Sequence, residues 1–178
     1  MDTFRRHAVA VGLSALCLCG AAMAAAAQPS TAMSGQILAA ASSVVLKGET
    51  TRVALAGGPE AAGLQRRLAD VVRRGAVHLV LDDLKAAEVP SVVYEIYLGL
   101  PAGAAAKPDD PHYVGTLNFF AVAPPNTQRR SRSYEVTAIA GRLAQAAPGD
   151  LAVTIVGRGA SAEMAAPPSI GSVALVAR

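Results

Sequence analysis

Two runs of strict alternation dominate the segment "VVYEIYLGLPAGAAAKPDDPHYVGTLNFF", residues 92–120. In the first, Val92, Tyr94, Ile96 and Leu98 share one face, and Val93, Glu95 and Tyr97 share the other. In the second, Tyr113, Gly115, Leu117 and Phe119 alternate with Val114, Thr116, Asn118 and Phe120. Successive side chains on a strand point to opposite faces, and β-branched and aromatic residues suit a pleated surface. The connection, residues 101–111, is too long for a two-residue hairpin turn and is stiffened by Pro101, Pro108 and Pro111. The pattern predicts an antiparallel pair with a long, ordered loop.

The remaining chain repeats this theme with few interruptions. Residues 43–46 and 52–55 read as short strands joined by a turn at Lys47-Gly48-Glu49. In "GGPEAAGLQRRLADVVRRG" the period changes: Leu64, Leu68 and Val71 or Val72 fall at helical spacing, Pro59 can start the helix and Gly75 can end it. Val77, Leu79 and Leu81 alternate with His78, Val80 and Asp82 as in a strand. A short strand at Tyr134 and Val136 precedes a short helical turn ending near Pro148-Gly149, and "LAVTIVGRG" and "IGSVALVAR" close the chain as strands. About seven or eight short strands with one or two short helices predict an all-β, mainly antiparallel fold, a β-sandwich or a jelly-roll-like barrel.

The first 27 residues read differently. Arg5 and Arg6 precede an apolar run from about residue 8 to 20, followed by Ala-x-Ala options at residues 22–24 and 25–27. That is the layout of an export signal, and the run is shorter than the roughly 20 residues of a membrane span. The arginine pair also permits twin-arginine export. Both cysteines, Cys17 and Cys19, fall within this segment, so the mature protein is expected to have no thiol for disulfides, metal or nucleophilic catalysis. Residues 28–41, rich in Ala, Ser and Gly, read as a flexible N-terminal extension, and residues 42–178 as the domain. Loss of Arg5, Arg6 and Asp2 with the signal turns 16 basic and 13 acidic residues into 14 and 12, a formal net of +2. So weak a balance gives no reason to expect nucleic acid or an anionic membrane as partner, nor stable membrane insertion after cleavage.

The search for chemistry returns mostly negatives. The mature chain keeps two histidines, His78 and His112. Imidazole-based copper or zinc catalysis takes about three ligands per metal, so no di-copper site is expected, nor any catalytic residue or cofactor. His112 with Asp109 and Asp110 is a weak metal candidate in a segment that reads first as a solvated, proline-fixed turn. His78 reads as a surface residue. No Gly-x-Ser-x-Gly elbow, phosphate loop or dinucleotide fingerprint is present. The basic run "QRRSRS" reads as a solvated loop. Phe119 and Phe120 are adjacent on a strand, so they face opposite ways: one can enter the core, and the other needs a cover or a partner.

The motif "YEIYLGLPAGAAAKPDDPHYVGTLNFF" resembles the C-terminal β-rich domain that follows the di-copper domain in bacterial tyrosinases and related polyphenol oxidases. The segments "SSVVLKGETTRVALA", "RRSRSYEVTAIAGRL" and "LAVTIVGRG" resemble its flanking strands. In that family the catalytic histidines lie in the preceding domain, so the resemblance implies no catalytic residue here. It implies an accessory, shielding or maturation role toward a tyrosinase-like di-copper oxidase, with Tyr113, Phe119 and Phe120 as docking candidates and His112 beside them. An independent periplasmic β-sandwich module for a small ligand is the alternative; it predicts a concave pocket with convergent polar groups.

Overall fold

The computed structural model describes residues 35–57, 63–88, 90–120, 122, 130–146, 151–159 and 166–178. Residues 1–27, read from the sequence as an export signal, Pro59 and Pro148-Gly149 lie outside them. Among the described residues, nine strands and two helices run in the order β1 (Gln36–Val45), β2 (Thr50–Ala54), β3 (Ala56–Gly57), α1 (Leu64–Arg74), β4 (Val77–Lys85), β5 (Val93–Leu98), β6 (Tyr113–Leu117), β7 (Arg132–Glu135), α2 (Thr137–Gln145), β8 (Ala152–Arg158) and β9 (Ser169–Ala177). They form two antiparallel sheets, β3-β1-β9-β4-β7 and β2-β8-β5-β6. The fold is all-β.

The inner faces of the two sheets make one core. Leu38, Leu79, Leu81, Val173 and Leu175 from the first sheet meet Tyr94, Ile96, Leu98, Leu117, Val153 and Ile155 from the second. Burying each such side chain contributes about 1.5–3 kcal/mol, the largest favourable contribution in a domain of this kind. The turn at residues 47–49 does not close a hairpin. It carries the chain from the first sheet (β1) to the second (β2), and the Leu46 N–H is met by Pro168 O at 2.9 Å.

Three expectations need correction. Residues 36–41 are not part of a flexible extension: they form the first half of β1, in register with β9 from Gln36↔Ala177 to Ala41↔Val173. Alanine is a weak strand former, so local propensity hides this strand; β9 supplies the pairing, and Leu38 and Ala39 are buried. The strand before α2 begins at Arg132, so part of the basic run is β7 rather than loop. Tyr113 does not share a face with Leu117. The β5–β6 register shifts between Ile96↔Gly115 and Tyr97↔Tyr113, which turns Tyr113 outward and sets Val114 against the core. Gly115, at φ +154°, accommodates the irregularity, and a β-carbon there would come within 3.2 Å of the Tyr134 ring.

The alternation also breaks in concert across β1, β9 and β4. Leu81 and Leu84, Val173 and Ile170, and Ala41 and Val44 all contact the core three residues apart at matching registers. Ser43 (φ 54°) and Asp83 (φ 56°) absorb the change in the outer two strands. Aspartate is among the residues most tolerant of the left-handed region.

The helices pack on each other beside this core. Leu64, Leu68, Val71 and Val72 form the apolar stripe of α1. Gly75 ends the helix with its N–H bonded to Val71 O at 2.9 Å, and Arg73 and Arg74 in the last turn suit the negative end of the helix dipole. Leu68 enters the core from α1, and Ile139 and Ala140 from α2. Tyr134 on β7 reaches across the open side of the sandwich, where its hydroxyl donates to Thr116 O on β6 at 2.7 Å. No helix among the described residues is long and apolar enough to cross a membrane.

Candidate functional site

The β5–β6 hairpin carries the residues the sequence singled out, and they separate to its two ends. At the loop end, residues 101–111 fold back over the outer face of the second sheet. Tyr97, Leu100 and Val156 are buried there against Ala106 and Tyr113, with the Tyr97 and Tyr113 rings edge-to-face at 5.5 Å. A polar network holds the cover down. Tyr97 Oη donates to Glu95 Oε2 at 2.7 Å, Arg158 Nε donates to the same oxygen at 2.9 Å, and Arg158 Nη2 donates to Ala106 O at 2.8 Å. Burial and the neighbouring carboxylate push the Tyr97 hydroxyl up to about 12. Burial acts to raise Glu95, but the bonds from Tyr97 and Arg158 and the guanidinium charge outweigh it and hold the carboxyl below its usual range.

His112 stands where the loop rejoins β6. Its Nδ1 lies 2.9 Å from Leu98 O, and a carbonyl only accepts, so Nδ1 carries the proton and Nε2 of the neutral ring is an acceptor. The His112 N–H donates to Asp110 Oδ1 at 2.8 Å, and the Tyr113 N–H to Asp110 O at 2.9 Å. Asp110 therefore shapes the turn, and Asp109 is exposed. Among the described residues no three or more His, Cys, Asp or Glu side chains are grouped to hold a metal ion. His78 is half-buried on β4, its Nδ1 3.4 Å from Ser133 Oγ.

Beside His112 a cleft of about 530 Å³ opens between the hairpin loop, the start of α1 and the end of α2. Its apolar walls include Leu64, Leu68, Leu100, Leu143 and Leu151, and its polar side chains are Arg52, Gln65 and His112. Each polar side chain is fixed by a backbone carbonyl. Arg52 Nη1 donates to Leu100 O at 2.6 Å and lies 3.3 Å from Thr154 Oγ1, and Gln65 Nε2 donates to Ala146 O at 2.9 Å. Arg142 on α2 donates to Pro111 O, tying the loop to the helix. Gly99, at φ +71°, lets β5 turn into the loop directly under α2, where a β-carbon would meet Leu143 Cδ2 at 2.5 Å.

At the other end, Phe119 lies 1% exposed, its ring edge-to-face with Tyr94 at a centroid distance of 5.7 Å. Its neighbour Phe120 is 63% exposed. Of the three docking candidates, Phe119 is thus a core residue, Tyr113 is half-buried beside Tyr97, and Phe120 alone is presented. Sequence reasoning missed Arg52, Gln65 and Arg158, which come from segments far along the chain. The Glu95–Tyr97 pairing was readable in principle, because the two alternate onto one face.

No family model matches the chain, and no curated protein matches it. Solved structures similar to it include polyphenol oxidases. A recombinantly expressed latent aurone synthase (polyphenol oxidase) is 13% identical at a TM-score of 0.43, over 75% of this chain and 24% of that one. The same enzyme co-crystallized with hexatungstotellurate(VI) gives 18% identity and a TM-score of 0.44 over 76% and 25%. The latent enzyme from its natural source gives 14% and 0.42 over 75% and 24%. The chain thus spans about a quarter of the length of these structures. TM-scores below 0.5 do not by themselves establish a shared fold.

Proposed function

We propose that this chain is an exported, non-catalytic accessory domain that docks on a tyrosinase-like di-copper oxidase and shields or helps to mature its site. The observation that carries this reading is the split between Phe119 and Phe120. A buried aromatic anchors the end of the motif hairpin, and the next residue offers a large apolar side chain to solvent. Large aromatics are among the side chains on which protein interfaces concentrate their binding energy. The motif resemblance of residues 94–120 names the class of partner. The activity stays with that partner, and the domain contributes a covering surface.

The test is capture from an extract of the protein's own host, with copper content and diphenol oxidation measured on the eluate. A copper-containing diphenol oxidase that co-purifies with the wild type and is lost with Phe120→Ser, at unchanged circular dichroism, supports the proposal. An eluate without oxidase, or capture indifferent to Phe120→Ser, overturns it. A second reading, a self-sufficient ligand-binding module, draws on the cleft beside His112, which has the apolar walls and few convergent polar groups of a small-molecule site.

A further inference from the structure

We infer that the cleft between the β5–β6 loop and the two helices binds a small amphipathic monocarboxylic acid bearing a hydrogen-bond donor on its chain. The inference is independent of the docking reading, since Phe120 lies at the far end of the hairpin.

The size falls within the range of small-molecule sites. The charge pattern selects an anion: Arg52 is the one charged side chain among the described lining residues, and no carboxylate is among them. Arg52 uses Nη1 for Leu100 O and Thr154 Oγ1, so its planar fork is oriented while Nη2 and Nε keep donors for a carboxylate. The two remaining polar groups each keep an acceptor. Gln65 spends one amide N–H on Ala146 O, which leaves Oε1 and a second N–H, and His112 turns Nδ1 to Leu98 O, which leaves Nε2. A hydroxyl or N–H on the ligand satisfies either. The leucine walls take the apolar body. One cationic donor, two side chains with an acceptor to spare and aliphatic walls, each polar group held by a backbone carbonyl before any ligand arrives, describe a preorganised site.

The experiment is calorimetric titration of the full chain, purified as its host processes it, with 3-hydroxyoctanoate, octanoate and 3-hydroxyoctanamide. The expected result is saturable one-to-one binding of the hydroxy acid, with the amide weaker by about tenfold or more, a difference of about 1.4 kcal/mol. Octanoate should fall between them. Arg52→Gln should weaken the acid by about tenfold while leaving the amide unchanged. Because Arg52→Gln also removes two bonds within the fold, Ala102→Trp serves as the second variant. Ala102 is exposed at the cleft, so an indole there blocks entry without touching the core. It should abolish binding at unchanged thermal stability. No binding of the hydroxy acid at millimolar concentration overturns the inference, as does an amide that binds equally well. Binding indifferent to both variants places the ligand elsewhere and overturns it too. Oxidase capture is scored separately, so either reading can fail while the other stands.

Discussion

The two ends of the β5–β6 hairpin are built from the same two strands but solve opposite problems. At the loop end several polar groups are tied down within the fold: His112 by Leu98 O and Asp110, Arg52 by Leu100 O, Arg158 by Glu95 and Ala106 O. What those bonds produce is a concave surface with fixed polar groups. At the far end the contrast is between two aromatics. One phenylalanine is driven into the core, and its neighbour is left outside. Concavity with residual hydrogen-bonding capacity suits a small ligand, and an exposed aromatic in the turn that follows β6 suits a macromolecular partner. The difference teaches that one motif can be split into two kinds of surface by where the loop folds back.

The largest expected effect tests the anchor. Phe119→Ala removes a ring that is 1% exposed and packed against Tyr94, and should destabilise the fold by about 3–5 kcal/mol in chemical denaturation. A loss under about 1 kcal/mol would mean that the far end is not anchored, and that the contrast between the ends is lost.

Alkali should test the loop end. Tyr97 titrates near 10 when unfolded and about 12 when folded, so the folded state holds its proton more tightly. Stability should then be level up to about pH 9, fall as pH rises through 10, and have lost on the order of 2 kcal/mol by about pH 12. Tyr94 and Tyr134, both raised chiefly by burial, add to the same slope. Tyr97→Phe should flatten part of this fall in a denaturation series run from pH 8 to 12. An unchanged slope would show that the loop cover does not hold the Tyr97 proton.

Smaller again is the latch across the sandwich. Tyr134→Phe removes one hydroxyl bond to Thr116 O at a half-exposed position and should cost about 0.5–1.5 kcal/mol at neutral pH. Hydrogen exchange should rise at β6 and β7 and not at β1. A uniform rise would mean that the hairpin has no local stability of its own to compare.

The sequence makes some of this architecture legible, and the reasons are local. Strand β5 and helix α1 announce themselves because a buried face imposes period two or 3.6 on their own residues, and β6, β8 and β9 do so as short runs rich in β-branched and apolar residues between turn signals. β1 does not, since its Ala-rich first half becomes a strand only where β9 supplies partners. The face of Tyr113 was misread because alternation assumes an unbroken register, and the β5–β6 irregularity near Gly115 breaks it. The cleft is unreadable for a different reason: Arg52, Gln65 and His112 come from three separate elements, and only the tertiary arrangement makes them neighbours. Phe119 and Phe120 do part as alternation expects, but not on a strand: β6 ends at Leu117, and the two rings separate at a turn closed by the Val122 N–H on Phe119 O at 3.0 Å, with Phe119 drawn in against Tyr94.

That last point yields the smallest predicted change in stability and the sharpest use of it. Phe120 is 63% exposed, so Phe120→Ser removes little buried area and should shift the denaturation midpoint by no more than about 0.5 kcal/mol in either direction. The same substitution at Phe119, one residue away, should cost several times more. If Phe120→Ser proves as costly as Phe119→Ala, the ring is covered in solution by the domain itself, and the far end has no aromatic left to offer. If it is silent for stability and yet removes the oxidase from the eluate, a side chain the fold does not need is one the partner does, and the two ends of the hairpin separate by experiment as they do in structure.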